Sequence, residues 1–125
     1  MVVATITAYL LLAIAGVSKA VMDKITFHYY GSVFKMLNEY FWNPIYSWMN
    51  KYKFGSEDFR PRFFGSTTFL VWATDAWHLF GLIRGVTGAA GFFLLGAYST
   101  WWLTIIGYAL SRATFQLFFK KIFTK

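Results

Sequence analysis

Long apolar runs, separated by a charged and aromatic stretch, organise this chain. The first run, VVATITAYLLLAIAGVSKAVM, extends from Val2 to about Met22. Its length is that of a membrane-crossing helix, and Lys19 near its end can snorkel toward the interface. A cleaved signal peptide is the competing reading. No basic segment precedes the run, and no small-residue cleavage site leads into a soluble domain. We therefore expect a retained first span (TM1) at about 2–22.

A second run, FFGSTTFLVWATDAWHLFGLIR, covers about 63–84. At helical rise it reaches roughly 33 Å, enough for a hydrocarbon core of about 30 Å. Gly85-Val86-Thr87-Gly88 then suggests a tight turn. The third run, TGAAGFFLLGAYSTWWLTIIGYAL, covers about 87–110, and a basic amphipathic tail occupies 111–125. Gly88, Gly91, Gly96 and Gly107 would let neighbouring helices approach closely, although their spacing is no strict GxxxG.

Residues 23–62 break the pattern. They hold six of the twelve basic residues and four of the five acids, with dense aromatics among them. Trp and Tyr suit the headgroup level, where an apolar ring and a polar tip are both satisfied. Asn43-Pro44 reads as a helix start, with Asn as N-cap and Pro at the first position. Short interfacial helices are expected here. Trp42, Trp48, Lys51, Lys53, Arg60 and Arg62 are the candidate headgroup contacts.

Composition agrees with a bilayer as the solvent. The chain has 125 residues, 58% hydrophobic and 14% charged; a soluble domain averages about 45–50% apolar and 25% charged. So short a chain could not hide that surface from water, because small domains bury only about 60–70% of what they expose unfolded. The fold class expected is all-α: one polytopic domain of three transmembrane helices, with short interfacial helices between the first and second.

The net charge of +7 points to anionic lipid headgroups rather than nucleic acid, since the basic residues flank apolar runs. Charge asymmetry also sets the count of three. With the N-terminus outside, Lys19 to Arg62 contributes seven basic side chains inside and the tail four, leaving only Arg84 outside. A re-entrant 63–84 segment would put the basic loop and basic tail on opposite faces. The localisation expected is a bacterial cytoplasmic membrane, with the C-terminus in the cytoplasm.

Candidate chemistry is sparse. No cysteine is present, which excludes disulfides and thiolate metal sites. Nucleotide-binding, zinc-protease and serine-nucleophile motifs are absent. Asp75 and His78, three apart and beside Thr74, share a helix face. On the predicted spans they fall in hydrocarbon, where an ionisable residue costs several kcal/mol unless paired. They either handle protons or ions, or lock helix packing through a local pair. His28 lies roughly 20 Å from His78 along the membrane normal on these spans, so no shared metal centre is expected, nor any cofactor. Trp101 and Trp102 fall within the third run, deeper than an interfacial belt, where they could meet Trp72 and Trp77.

The runs FHYYGSVF, FWNPIYSWMNKYKFG and PRFFGSTTFLVWATDAWHLF resemble small membrane proteins of bacteria, many of the Bacteroidetes type, and of phages. The shared pattern is FW-N/D-P, SW-x-NKY, GSTT and TD-x-WHLF, over about residues 25–80. The resemblance carries no activity. It draws attention to Asn43, Pro44, Trp48, Asn50, Lys51, Tyr52, Gly65, Ser66, Thr67, Thr74, Asp75, Trp77 and His78, and implies that the loop and second run form one unit. The leading functional expectation is a non-enzymatic protein acting by assembly, as a homo-oligomer or accessory subunit of a membrane complex. A holin-like pore and an enzymatic or proton-handling site at Asp75 and His78 are the alternatives.

Overall fold

The computed structural model describes all 125 residues, Met1–Lys125. It is all-helical. Three long helices carry the architecture: α1 (Val2–Phe27), α4 (Ala76–Tyr98) and α5 (Trp101–Leu117). Between α1 and α4 lie two short α-helices, α2 (Glu39–Trp42) and α3 (Pro44–Ser47), with 3-10 turns around them. A π-helical turn, Phe118–Ile122, follows α5.

Helix α1 is the centre, with α4 and α5 packed on it. Pairings along their lengths give the directions. Gly81 faces Met22, Gly88 faces Ala15 and Gly91 faces Leu12, so α4 runs antiparallel to α1. Tyr9 donates its hydroxyl proton to the Leu103 carbonyl at 3.1 Å, Gly107 faces Leu12, and Gly16 faces Ser111 and Thr114. Helix α5 therefore runs parallel to α1. The N-terminus and the α4–α5 turn lie at one end, the hairpin end. Residues 28–75 and the C-terminal tail form a layer at the other.

The spans differ from those expected. Residues 63–75 form turns and one 3-10 helix, Val71–Ala73, instead of the first half of a membrane helix. Gly65 takes a left-handed φ of 80°, outside the helical region and tolerated because glycine lacks a Cβ. The buried Ser66 hydroxyl donates to the Lys51 carbonyl at 2.7 Å, tying this segment to the loop. Conversely, Gly85–Gly88 is no turn but the interior of α4. Thr87 returns its hydroxyl to the Ile83 carbonyl at 2.6 Å, and at Gly88 contact with Ala15 of α1 offsets the roughly 1 kcal/mol that a glycine costs a helix.

The reversal comes at Ser99-Thr100, inside the expected third span. Both residues are extended, with ψ of 168° and 156°. The Ser99 hydroxyl lies 2.9 Å from that of Thr5, which fixes the turn to the start of α1. Trp101 and Trp102 consequently sit at the hairpin end, 76% and 50% exposed, beside Tyr98. Trp77, in the first turn of α4, is at the opposite end, so the expected packing of these tryptophans does not form.

Two helices, Val2–Phe27 and Ala76–Tyr98, are long and apolar enough to cross a membrane. The core is thin. One cluster (Ala8, Leu12, Leu95) holds the hairpin half together. Another (Val21, Ile25, Tyr29, Phe34, Ala76) joins the helices to the layer. The tail is docked rather than free. Val33 donates its backbone N–H to the Phe123 carbonyl, and Lys125 donates to the Gly31 carbonyl, at 3.1 and 3.0 Å. Lys24, only 5% exposed, donates to the Thr124 hydroxyl at 2.7 Å and lies 4.5 Å from the Phe119 ring centre.

The helix start at Asn43-Pro44 forms as expected. The Asn43 side chain accepts from the Ile45 N–H at 3.1 Å, with Pro44 at the first helical position. Asn43 is also buried. Asn43→Ala should lower unfolding stability by about 1–2 kcal/mol, the worth of an N-cap, measurable by thermal unfolding in detergent.

Candidate functional site

Asp75 is the N-cap of α4. Its extended backbone, φ −158° and ψ 163°, ends the turn-rich segment and aims the carboxylate back over the first helical turn. One oxygen, Oδ1, accepts from the His78 backbone N–H at 3.0 Å. The other, Oδ2, accepts from the Thr74 hydroxyl at 3.0 Å and lies 2.7 Å from His78 Nδ1. The carboxylate is 2% exposed. Its position at a helix N-terminus is electrostatically favourable, because unpaired N–H groups concentrate positive potential there.

Thr74 and His78 are thus both bonded to Asp75, bringing the three candidates together as their spacing suggests. Their depth is not the expected one. They mark the layer end of α4, where the chain enters the helix, instead of the middle of a span. His28, which caps the C-terminus of α1, is at the same end and packs edge-on against Phe119 at 5.6 Å. The expected separation of the histidines along the bundle is corrected accordingly. No group of three or more His, Asp or Glu side chains is positioned to hold a metal ion.

A carboxylate–imidazole pair resembles the orienting half of a catalytic triad, in which the second ring nitrogen activates a nucleophile. Here no hydroxyl is bonded to His78 Nε2, and the Thr74 hydroxyl is committed to Asp75 and to the Val71 carbonyl at 2.7 Å. A hollow of about 290 Å³ adjoins Thr74, Asn50 and Arg62 but not His78. The geometry is that of a satisfied polar knot.

Other residues singled out by motif belong to the same knot. Asn50 donates to the Tyr40 carbonyl at 2.6 Å and to the Thr74 carbonyl at 2.9 Å. It thereby ties α2 to the residue before the cap. Together with the Ser66–Lys51 bond, this makes the loop and the entry to α4 one unit. Asn50→Ala would leave two carbonyls without their partner and should destabilise by about 1–2 kcal/mol, read from thermal unfolding.

The interfacial candidates separate into two groups. Trp42 is half-buried, stacked on Phe34 at 5.0 Å and near Phe80 at 5.8 Å; it belongs to the core of the layer. Trp48 is 40% exposed and meets Tyr52 edge-on. Lys51 and Lys53 lie over the rings of Tyr52 and Phe54. Arg62 donates to the Tyr52 carbonyl at 3.3 Å. Arg60 is bound to Asp58, Nη2 to Oδ2 at 2.6 Å. Its hydrogen bonds to side chain and backbone hold the Asp58 carboxyl below the usual range. A depressed folded-state value means that this pairing favours the fold above the ordinary carboxylate range and is lost as pH falls through the lowered value. An NMR titration should show Asp58 protonating below the ordinary aspartate range, and Arg60→Gln should bring it back up.

Three of the four packing glycines act within the chain. Gly91 and Gly107 press on Leu12, and Gly88 approaches Ala15; only Gly96 has no neighbour within 4 Å. The sequence reading missed Gly16. A Cβ there would fall inside contact distance of the Ser111 carbonyl oxygen and the Thr114 hydroxyl. Its small neighbours, Ala13, Ala15 and Ser18, were the available signal.

No known protein family, curated protein or solved structure matches the chain.

Proposed function

We propose that this chain is a three-span integral membrane protein that acts by assembly, as a homo-oligomer or as an accessory subunit of a membrane complex. The observation that carries the reading is the surface of the helices. Only 22 of 125 residues are buried, while Ile6, Leu10, Ile14, Leu82, Phe93, Ile105 and Ile106 stand exposed along α1, α4 and α5. Only 28% and 11% of the two most apolar helical windows are covered by the chain itself. Core helices of a soluble protein would be mostly covered. Lipid or a neighbouring helix is the cover that costs nothing in desolvation.

Aromatic residues support the placement. Tyr98, Trp101 and Trp102 ring the hairpin end, and Trp48 and Tyr52 lie in the layer. The 23 residues of α4 separate these levels by roughly 34 Å, near the thickness of a bilayer core plus its edges. Helix α5, with 17 residues, is read as the third crossing because it follows α1 over its whole length. All twelve Lys and Arg residues, Arg84 included, fall in the layer half of the molecule. By the positive-inside rule that end faces the cytoplasm, in a bacterial inner membrane.

Assembly follows from what the fold leaves open. The Asp75 knot is internally satisfied and offers no bonded nucleophile, whereas Gly96 presents bare backbone on an exposed face of α4. Small residues on such faces admit a neighbouring helix at close range. The test is light scattering of the purified chain in mild detergent and in lipid discs. We expect a defined oligomer that Gly96→Ile dissociates without lowering thermal stability. A monomer at every concentration in both media would overturn the assembly reading.

A further inference from the structure

Helices α4 and α5 meet at the hairpin end and touch each other little beyond it. Between them a groove of about 470 Å³ opens over α1. Lys19 on its floor, Arg84 on one wall and Arg112 on the other bring three cations to one level. The register of the helices puts them there: Gly16 faces Ser111, and Met22 faces Gly81. Lys19 is paired with Asp23 at 2.7 Å. Neither guanidinium is salt-bridged or hydrogen-bonded through its side chain; Arg112 only lies 5.6 Å from the Phe115 ring centre.

We propose that this groove binds the phosphate of an anionic phospholipid, with one acyl chain lying between α4 and α5. The proposal rests on the membrane reading above. Two unpaired guanidiniums among apolar helices need an anion, because a charge near hydrocarbon is costly without a partner. Guanidinium geometry matches phosphate oxygens two at a time. A second copy of the chain cannot supply the anion. Of its five acids, Asp23, Asp58 and Asp75 are bonded to Lys19, Arg60 and His78, and Glu39 and Glu57 lie in the layer. Depth fits a headgroup. Lys19 is 17 residues from Val2, roughly 26 Å along α1, close to the far edge of a core of about 30 Å. Toward the hairpin end the groove continues past Gly88 and Ala89, which leave room, and Phe92, which offers an apolar wall to an acyl chain. Basic pockets between membrane helices are a known mode of headgroup binding.

The experiment is native mass spectrometry of the full chain in nonionic detergent, titrated with phosphatidylglycerol, phosphatidylcholine or inorganic phosphate. One phosphatidylglycerol should be retained in preference to phosphatidylcholine. Arg84→Gln with Arg112→Gln should weaken it about thirtyfold, from the usual worth of two basic residues near anionic lipid. Lys35→Gln with Lys121→Gln removes the same charge from exposed positions of the layer, outside the groove, and should leave retention unchanged. Gly85→Leu keeps every charge but narrows the groove, since a Cβ at Gly85 meets nothing; it should also weaken retention. Equal loss in both double variants would reduce the effect to net charge and overturn the site. Displacement by millimolar inorganic phosphate would assign it to free phosphate and overturn the lipid. If the chain stays monodisperse without detergent, the membrane reading itself falls. If it needs detergent yet shows no lipid preference, only the groove proposal falls.

Discussion

Gly16→Leu should separate α1 from α5 and lower unfolding stability by about 3 kcal/mol or more, at the upper end of overpacking costs. The reason is what lies opposite. A Cβ at Gly16 would overlap the Ser111 carbonyl oxygen, and a helical carbonyl cannot rotate aside as a side chain can. The whole of α5 would have to move, and it leads directly into the tail that Val33, Gly31 and Lys24 hold. Loss of that contact should expose residues 118–125 to protease while α1 and α4 stay paired. Gly85→Ala is the control in the opposite sense. Its Cβ meets nothing, so the helix should gain about 0.5–1 kcal/mol from the lower backbone entropy of alanine. Thermal unfolding of the two variants in one detergent checks both signs. If Gly16→Leu melts with the parent chain, α5 does not dock on α1 as described.

The two glycines also show what could be read from the sequence. Apolar runs predicted an all-helical chain, and α1 lies close to its expected bounds, extended by the turn from Asp23 to Phe27. The boundaries after residue 62 could not be read in the same way. Hydropathy does not distinguish an apolar turn from an apolar helix, so 63–75 looked like half a span. Glycine is ambiguous in the same sense. Gly85 and Gly88 suggested a turn, yet both are helical; Gly88 meets Ala15 of α1, while Gly85 faces open space and is carried by the helix on either side of it. Ser99-Thr100 carried the true turn, with Trp-Trp after it, but a continuous apolar context hid the signal. Shifting the helices by about a dozen residues also moved Arg84 from the expected minority side to the basic majority. The Thr74–Asp75–His78 contact was legible from spacing alone. Its role as a cap was not, because an N-cap is recognised only when the helix start is known.

Asp75→Ala should be the most damaging change in the polar knot, costing about 3 kcal/mol. Two losses add. Removing an N-cap costs about 0.5–2 kcal/mol. The His78 ring Nδ1 then also loses its carboxylate partner at 2.7 Å, and an unpaired polar group at so buried a site costs about 1–3 kcal/mol; the Thr74 hydroxyl keeps the Val71 carbonyl. Asp75→Asn should cost only about 1 kcal/mol. Asparagine caps as well as aspartate, and its amide keeps an acceptor for the His78 N–H while losing the charge beside His78 Nδ1. The ratio of the two changes separates a cap from a proton-handling carboxylate. A cap predicts that stability falls in the order parent, Asn, Ala, with His78→Ala near Asn. A working carboxylate predicts that Asn and Ala are equally inactive in a proton-flux assay in liposomes while Asn melts with the parent. Urea or thermal unfolding of the three variants in one detergent decides it, because only the cap makes the oxygen of Asn a substitute for the charge of Asp.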